Sequence, residues 1–519
     1  MPPPSESGSR RAEHGRTMGH LRPPTGTDLE RLAAADHLTF APGEADVYAS
    51  FASAWLETLD AVEDLPELEV PLRHHVRDPG RRPTPEEDPH NAFVRLCRVE
   101  GAAEGRLAGR RVGVKDNLAV AGVPVTNASR TLSYTPTADA VVVERVLDAG
   151  GTIVGKLNLD DFSASGYGDT SAFGATRNPL NAAHSAGGSS SGAAAAVAAG
   201  LVDLALGVDN GGSVRMPAAA CGVVGLKATT GLVPSFGLSY IDHCFDCVGP
   251  IARTVAETAE LLAVIAGEDW RDPQWVRDVT VDDYVAGLSD GVAGLRIGVI
   301  EEAVDDASCE PPVLAGIDTT AAALGEAGAT VERVSVPLWT AGFPIWLGLL
   351  VNGWPQMLRS HGISAGHFGY VDVERVHAAG LVRQAEPHLL PSTAKLALLV
   401  GSWLHERYQG VPLARAQNQR IALRRALDDA LGRFDLLLTP TTPRTAVRLP
   451  EGRMSEAQAM ARAVAENVLA CPLNVTGHPA LAVPSGVDAD GLPTSAQLIG
   501  PRWGERRLVA AGAALEERL

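Results

Sequence analysis

Residues 207–234 read GVDNGGSVRMPAAACGVVGLKATTGLVP. The turn near the start of this segment follows a strand-like apolar run, 204–208, and is built of Asn210, Gly211, Gly212 and Ser213. Consecutive amides in so tight a turn converge on one point, which is the geometry of an oxyanion hole, and a serine inside it is well placed as a nucleophile. A plain turn is the alternative that this segment leaves open.

A second cluster of glycine and serine lies upstream, with the sequence GGSSSG at 187–192. Its serines, among them Ser189 and Ser190, precede an alanine-rich helix predicted at 193–199. They can cap that helix while the loop amides hold a hydroxyl or an anion, and a flexible linker with a cap is the equal alternative. The run also satisfies G-x-S-x-G, but the segment before it, 178–185, lacks the apolar strand that a nucleophile elbow needs.

Lysine is rare in this chain, because only four of its 44 basic Lys and Arg residues are lysines. Lys115, in the sequence VGVKDN, follows a short strand-like run, and burial there lowers the pKa of an amine toward the range of a general base. Arginine cannot lose its proton in this way. An ion pair with Asp116 is the structural alternative for Lys115, and Lys156 and Lys227 compete for the role of the base.

Together, VGVKDN, GGSSSG and the 207–234 segment resemble the amidase signature family, over about 92–340 and 430–519. The two serines lie at the spacing of that family, 24 residues apart. The resemblance implies a catalytic triad of Lys115, Ser189 and Ser213, in which Ser189 has a cis peptide linkage. The residues that it implies for oxyanion and substrate binding are Asn210, Gly211, Gly212 and Ser190. It implies no metal and no cofactor.

Within the family, the sequence is most similar to the nitrile-hydratase-associated amidases. The features that carry this finer resemblance are the sequence GLVP at 231–234, Asp246 within FDCVGPIARTV, the sequence NVTGHP at 474–479 and an additional N-terminal helical region. Those relatives cleave small aliphatic and aromatic primary amides and are usually homodimers. The resemblance therefore implies a homodimer that hydrolyses a small carboxylic amide to carboxylate and ammonia through a serine acyl-enzyme. The sparse cysteines and the lack of a long apolar stretch predict a cytoplasmic protein.

Three positions depart from the family pattern: Asn210 stands before Gly-Gly-Ser, Ala228 replaces a usual proline, and Cys247 replaces a histidine. Other functions remain open beside amide hydrolysis. The chain could catalyse acyl transfer, or cleave a related C–N bond such as that of a hydrazide or carbamate. It could be the glutaminase component of an amidotransferase, which has partner subunits. It could also be a family member that has lost catalysis and only binds amides.

Composition excludes several classes of protein. The 519 residues are 45% hydrophobic and 20% charged, which is typical of a globular chain. A net charge of −18 disfavours nucleic acid as a partner, and the apolar run 193–207 is too short to span a membrane. Six cysteines are too sparse for a disulfide framework, and the lone pair Cys244 and Cys247 lacks the second half of a zinc site.

The sequence predicts an α/β fold with a central mixed, largely buried sheet that is covered by helices. Helices are expected at 141–147, 193–199 and 312–327, and strands at 112–114, 152–154, 204–208, 295–300, 331–336, 434–438 and 480–483. Residues 91–519 form the predicted catalytic domain, with an inserted, mostly helical cap at about 340–425. In this cap, Trp346, Trp354 and Trp403 are expected mainly in the core, with a place in the acyl pocket as the alternative.

The N-terminal region precedes this domain. Residues 1–27 are a predicted disordered tail, in which Met18 is an alternative start. Residues 28–90 are a helical region followed by a Pro-rich charged linker. One apolar stripe in this region recurs every fourth residue and is expected to pack, through Val47, Phe51, Trp55 and Leu59.

Overall fold

A computed structural model describes residues 21–66, 68–272, 280–363, 369–452, 454–464 and 466–519. The chain divides into two compact units between Pro71 and Leu72. Most of the predicted tail, and Met18 with it, lies outside the described residues.

The N-terminal unit contains helices α1 (Gly26–Ala35) and α2 (Glu44–Glu63). Thr25 begins α1 with a capping box, because its hydroxyl accepts from the amide of Asp28 while the Asp28 carboxylate accepts from the amide of Thr25. These two helices lie within or beside the range 28–90 that was predicted as a helical region and linker. The predicted apolar stripe lies on α2, and its four side chains are 51–74% exposed. Helix α1 therefore does not cover the stripe, and the expected packing is not found within this unit.

The second unit is built on strands. In chain order they are β1 (Arg77–Arg81), β2 (Phe93–Val99), β3 (Arg111–Lys115), β4 (Thr152–Leu157), β5 (Arg177–Asn178), β6 (Asn181–Ser185), β7 (Leu204–Asp209), β8 (Val224–Lys227), β9 (Cys247–Ala252), β10 (Arg296–Ile300), β11 (Thr330–Val334), β12 (Leu436–Pro440), β13 (Ala480–Val487) and β14 (Pro493–Ile499). Twelve of these strands form one sheet in the order β1-β2-β4-β3-β7-β9-β8-β13-β14-β12-β10-β11, and β5 pairs with β6 as a separate hairpin.

Helices cover this sheet. They are α3 (Val141–Asp148), α4 (Ser191–Ala198), α5 (Arg215–Cys221), α6 (Val255–Ile265), α7 (Tyr284–Gly287), α8 (Glu301–Val304), α9 (Pro311–Glu326), α10 (Gly342–Arg359), α11 (Val373–Ala385), α12 (Ser392–Tyr408), α13 (Val411–Leu431), α14 (Glu456–Arg462), α15 (Pro472–Thr476) and α16 (Glu505–Glu516).

The sheet is mixed and largely buried, as predicted. Strand β3 runs parallel to β4 and β7, whereas β7 runs antiparallel to β9. Every residue of β7, β8, β9, β12 and β14 is buried. Burial on both faces accounts for the continuous apolar run of β7 from Leu204 to Val208. The predicted helices and strands are all present, with ends that differ by one to three residues in most cases.

The boundary between the units differs from the one predicted near residue 90. Residues 77–81 belong to the second unit, because they form β1 and pair antiparallel with β2, with Arg77 opposite Val99. The Pro-rich composition of this segment suits an edge strand as well as a linker.

Helices α10, α11, α12 and α13 occupy the region of the predicted cap. Among them, α10 packs against both α12 and α13. No helix in the described part of the chain is both long enough and apolar enough to cross a membrane.

Candidate active site

Lys115 ends strand β3, which lies between β4 and β7 in the interior of the sheet, and is fully buried. Its Nζ lies 2.8 Å from Ser189 Oγ and 3.3 Å from the carbonyl oxygen of Val208. Burial lowers the pKa of Lys115 to about 7, against the opposing charges of Asp160, Asp246 and Asp209. The amine can therefore be neutral near physiological pH and accept a proton from the serine beside it.

The other two buried lysines have different partners. Lys156 Nζ lies 3.0 Å from the carboxylate of Asp116 and donates to the carbonyl of Leu118. Lys227 donates to the carbonyls of Ala228 and His478. Asp116 thus pairs with Lys156 rather than with Lys115, and of these three lysines it is Lys115 whose amine meets a serine hydroxyl.

The GGSSSG segment follows β6 and runs into the first two residues of α4, and the Gly188–Ser189 peptide bond is cis. A Cβ on Gly188 would meet Asp160 Oδ2 at 2.1 Å and the amide nitrogen of Gly168 at 2.7 Å, so only glycine fits there. Ser190 occupies the N-cap position of α4, but its side chain does not cap the helix. Its hydroxyl instead donates a hydrogen bond to the carbonyl of Val208 and accepts one from the amide of Val208. The predicted side-chain cap is therefore wrong for Ser190, and its hydroxyl ties this loop to β7.

The turn after β7 is held by the Asp209 carboxylate. It accepts from the amides of Gly212 at 2.7 Å and Val214 at 3.1 Å, and it forms a bidentate pair with Arg215 at 2.9–3.0 Å. Burial alone would raise the pKa of Asp209, but the charge and hydrogen bonds of Arg215 hold it well below its usual range. The amide of Gly212 therefore already donates to Asp209. Contrary to the prediction from the sequence, it is not free to bind an oxyanion together with the neighbouring amides.

Arg215 is itself completely buried at the start of α5. Its guanidinium also donates to the carbonyl of Ala470, the amide oxygen of Asn474 and that of Gln497, at 2.7–2.8 Å. Asn474 returns a hydrogen bond to Asp209. These bonds fix the serine-bearing turn to the C-terminal part of the unit.

Substitution of Arg215 by Met is expected to lower the free energy of unfolding by about 3–5 kcal/mol, because the carboxylate of Asp209 would stay buried without its cation. The measurement is urea denaturation followed by circular dichroism. Arg253→Met is the matched control: that guanidinium is 40% exposed and lies 3.5 Å from Glu257, so its loss should cost less than about 1 kcal/mol. Equal, small losses for the two variants would contradict this assignment.

Asn210 lies in the same turn and is buried. Its side-chain amide donates to Asp246 at 2.7 Å, and its side-chain and backbone oxygens both accept from Trp346 Nε1, at 3.3 and 3.2 Å. Burial raises the pKa of Asp246 to about 7, while the hydrogen bond from Asn210 opposes the shift. Asn210 thus joins the turn to the first helix of the cap, α10.

A cavity of about 290 Å³ opens over this turn. Asn210, Gly211 and Ser213 line it on the side of the turn, and the remaining walls come largely from α10, α12 and the segment 460–467. Its apolar wall includes Ile241, Trp346, Leu347, Leu350, Val351, Trp354, Leu396, Ala397, Val400, Met460, Ala463 and Val464. No charged side chain lines it in the described part of the chain.

The three cap tryptophans divide between two environments. Trp346 and Trp354 line this cavity and are each 4% exposed, whereas Trp403 is 58% exposed on α12. Trp346 and Trp354 therefore lie in the wall of the pocket, which was the alternative to a core position. The expected core position is wrong for Trp403, which is exposed. Of the implied site residues, Lys115, Ser189 and Ser190 are buried beneath the cavity wall, while Asn210, Gly211 and Ser213 reach its surface.

Several residues of the site were not identified from the sequence. Asp209 and Arg215 stand inside the motif, but no spacing rule marks them as a pair. Asn467, whose amide donates to the Gly211 carbonyl at 2.7 Å, and Asn474 come from far along the chain. The NVTGHP sequence that contains Asn474 was the one available signal for the second of these.

The cysteine pair shows no metal arrangement. Cys247 is buried near the Thr230 hydroxyl and Cys244 is exposed. Within the described ranges, no group of three or more His, Cys, Asp or Glu side chains is placed to hold a metal ion.

A sequence model of the amidase family matches residues 93–509. The chain belongs to the amidase family. The match covers well over half of the chain and includes every residue of the site described above. This amidase-family chain is therefore an enzyme of the class that acts on C–N bonds.

Among curated relatives of this amidase-family chain is the glutamyl-tRNA(Gln) amidotransferase A subunit of Synechococcus sp. (strain CC9605). It is 38% identical over 482 residues, which are 90% of this chain and 95% of the relative. The corresponding protein from Natronomonas pharaonis is 40% identical over 430 residues, covering 82% and 99%. These relatives are amidotransferase components rather than nitrile-hydratase-associated amidases.

Solved structures agree with the fold of the amidase-family chain. The glutamyl-tRNA(Gln) amidotransferase A subunit from Thermotoga maritima has a TM-score of 0.69 and 32% sequence identity, and the match covers 83% of this chain and 88% of that one. The similarity extends across the large mixed sheet and its flanking helices.

Proposed function

We propose that this enzyme hydrolyses the amide of an apolar carboxylic acid to the carboxylate and ammonia or an amine. The observation that carries the proposal is the contact of 2.8 Å between Lys115 Nζ and Ser189 Oγ, inside the same buried site whose Ser213 lines an uncharged, apolar cavity. A base, a relay hydroxyl and a nucleophile are the groups that acyl transfer from an amide requires.

In the proposed mechanism, neutral Lys115 takes the proton of Ser189 as Ser189 takes that of Ser213. The Ser213 oxygen attacks the amide carbonyl carbon, and the C–N bond breaks as Ser189 returns a proton to the leaving nitrogen. Water then attacks the ester carbon through the same relay and releases the carboxylate. The amides of Asn210, Gly211 and Ser213 are the proposed donors to the oxyanion, each worth on the order of 3 kcal/mol.

The cavity supports an apolar acyl group. Trp346, Leu350 and Val400 are typical of its wall, and its volume of about 290 Å³ suits a phenyl or branched aliphatic group. Burial of such a group contributes about 1.5–3 kcal/mol relative to water. The proposal therefore ranks aromatic and branched amides above acetamide.

The second candidate is the glutaminase component of an amidotransferase, which the 38–40% identity to the amidotransferase relatives favours. Free glutamine carries an ammonium and a carboxylate, and burying either without a partner is costly. The residues described in the lining of the cavity include no charged side chain that could pair with the ammonium or the carboxylate of glutamine. We therefore rank this function second. It would also require partner subunits, whereas we propose a homodimer.

The two functions predict opposite substrate orders. We expect kcat/KM for ammonia release from benzamide and isobutyramide to exceed that for L-glutamine at least tenfold, since glutamine must lose its hydration without compensation. Ser213→Ala is the blank for each substrate. Glutamine as the best substrate, with copurifying subunits identified by mass spectrometry, would replace the first proposal by the second. Light scattering on the purified chain tests the homodimer.

A further inference from the structure

A second cavity, of about 910 Å³, adjoins the first. Thr393, at the start of α12, lines both cavities. The loop 161–165 also borders both, because Asp161 lines the second cavity and Ser163 lines the first. The two cavities therefore lie next to each other at Thr393 and at the loop 161–165.

The second cavity differs from the first in its charge. Its lining includes the charged side chains Asp161, Asp169, Arg177, Arg448 and Glu451. Asp169 is already paired with Arg462 at 2.8 Å. Arg177 and Arg448 are exposed, so water screens their charges.

Asp161 stands apart from these groups. Its Oδ1 is buried and has no hydrogen-bond partner within the described residues, and the same holds for Ser163 Oγ two residues later. A buried polar atom without a partner costs about 1–3 kcal/mol, so both atoms are suited to a ligand that supplies donors. Burial raises the pKa of the Asp161 carboxyl to about 7, while the hydrogen bond from Ser129 and the charge of Arg130 oppose the shift.

The backbone of this loop supports a role in binding. Phe162 and Ser163 have φ values of +57° and +58°, the left-handed region that residues other than glycine seldom adopt. Such conformations cost on the order of 1 kcal/mol each and are concentrated at ligand sites. They turn the chain so that Asp161 and Ser163 border different cavities.

We propose that Asp161 binds the cationic end of the leaving amine, so that the preferred substrate joins an apolar acyl group to an amine that carries a second, positively charged amino group. The inference rests on the proposed function: the acyl group occupies the cavity over Ser213, and the amine extends past Thr393. An ammonium group would give Asp161 Oδ1 the charge-assisted hydrogen bond that this atom lacks.

The test compares three benzoyl amides of similar length: N-(3-aminopropyl)benzamide, which is cationic, N-butylbenzamide, which is neutral, and 4-benzamidobutanoate, which is anionic. We expect kcat/KM for the cationic amide to exceed that for the neutral one at least tenfold, mainly through a lower KM. Asp161→Asn should remove this preference and change hydrolysis of the neutral amide less than twofold. Glu451→Gln is the matched control, since Glu451 is an exposed carboxylate in the same cavity, and it should keep the preference.

Benzamide in the same assay separates this inference from the proposed function. Hydrolysis of benzamide without a preference for the cationic amine overturns only the present inference, as does a preference for the anionic amide or one that survives Asp161→Asn. Failure to cleave any benzoyl amide overturns both. Thermal unfolding of the Asp161→Asn protein confirms that it is folded, and Asp161→Glu, which restores the charge, should recover part of the preference.

Discussion

Ser213→Ala is expected to lower kcat for benzamide by about 10⁴–10⁶-fold, because the variant retains the cavity and the turn amides but has no nucleophile. In the parent, Ser213 lines the cavity that is proposed to hold the acyl group. Because the substitution removes only the hydroxyl group of Ser213, the unfolding temperature should stay within about 2 °C of that of the parent. Stopped assays of benzoate release measure the effect.

The matched control for this variant is Ser485→Ala. Ser485 is also buried, and its hydroxyl lies 3.1 Å from that of Thr494 in the neighbouring strand, on β13 and β14. It should keep kcat within about twofold. Intact-mass measurement after reaction with an activated benzoate ester should show a benzoyl adduct on the parent and none on Ser213→Ala. A variant that still hydrolyses benzamide, or that carries the adduct on Ser189, would overturn the assignment of the nucleophile.

Lys115→Met is expected to lower kcat/KM by about 10²–10⁴-fold, the usual contribution of a positioned general base. Methionine matches the buried stem of lysine but cannot take a proton. Because the pKa of Lys115 is about 7, the parent should be active where the amine is neutral. Its kcat/KM should therefore rise about tenfold per pH unit below pH 7 and level off above it.

Two carboxyl groups near the site also titrate in this range, so the profile needs its own control. Burial raises the pKa of Asp160 to about 6 and that of Asp246 to about 7. Asp246→Asn should keep the rise with pH if Lys115 is the base, whereas Lys115→Met should lose it. Lys395→Met, on the cap helix α12, should change neither rate nor profile. A rise that persists in Lys115→Met would assign it to a different group.

The sheet could be predicted from the sequence because buried strands leave a strong local pattern. Strand β7 is apolar from Leu204 to Val208, and glycine-rich turns mark where it stops. The rarity of lysine marked Lys115, Lys156 and Lys227 as candidate bases. It could not choose among them, and the pairing of Lys115 with Ser189 was implied only by the resemblance to the amidase signature family.

Other features required the fold itself. The sequence around Asp209 does not show that its carboxylate accepts a hydrogen bond from the amide of Gly212. The same carboxylate could equally have faced solvent. The segment 77–81 has the composition of a linker, and only pairing with β2 makes it a strand. The stripe on α2 has the period of a packed helix, but period alone does not say what covers it. Long-range strand pairing decides the case of 77–81, and sequence patterns carry little information about such pairing.

The guanidinium of Arg215 reaches acceptors that lie 255–282 positions further along the chain. A polypeptide that stops before Ala470 keeps Lys115, both serines and the Asp209–Arg215 pair. It lacks the acceptors on Ala470, Asn474 and Gln497 that tie Arg215 to the rest of the unit. Proteolytic removal of the segment from Ala470 onward is therefore expected to impair the site as an active-site mutation would. During synthesis Ser213 is made before residues 470–497, so the turn that carries it gains these hydrogen bonds only after that segment has been added.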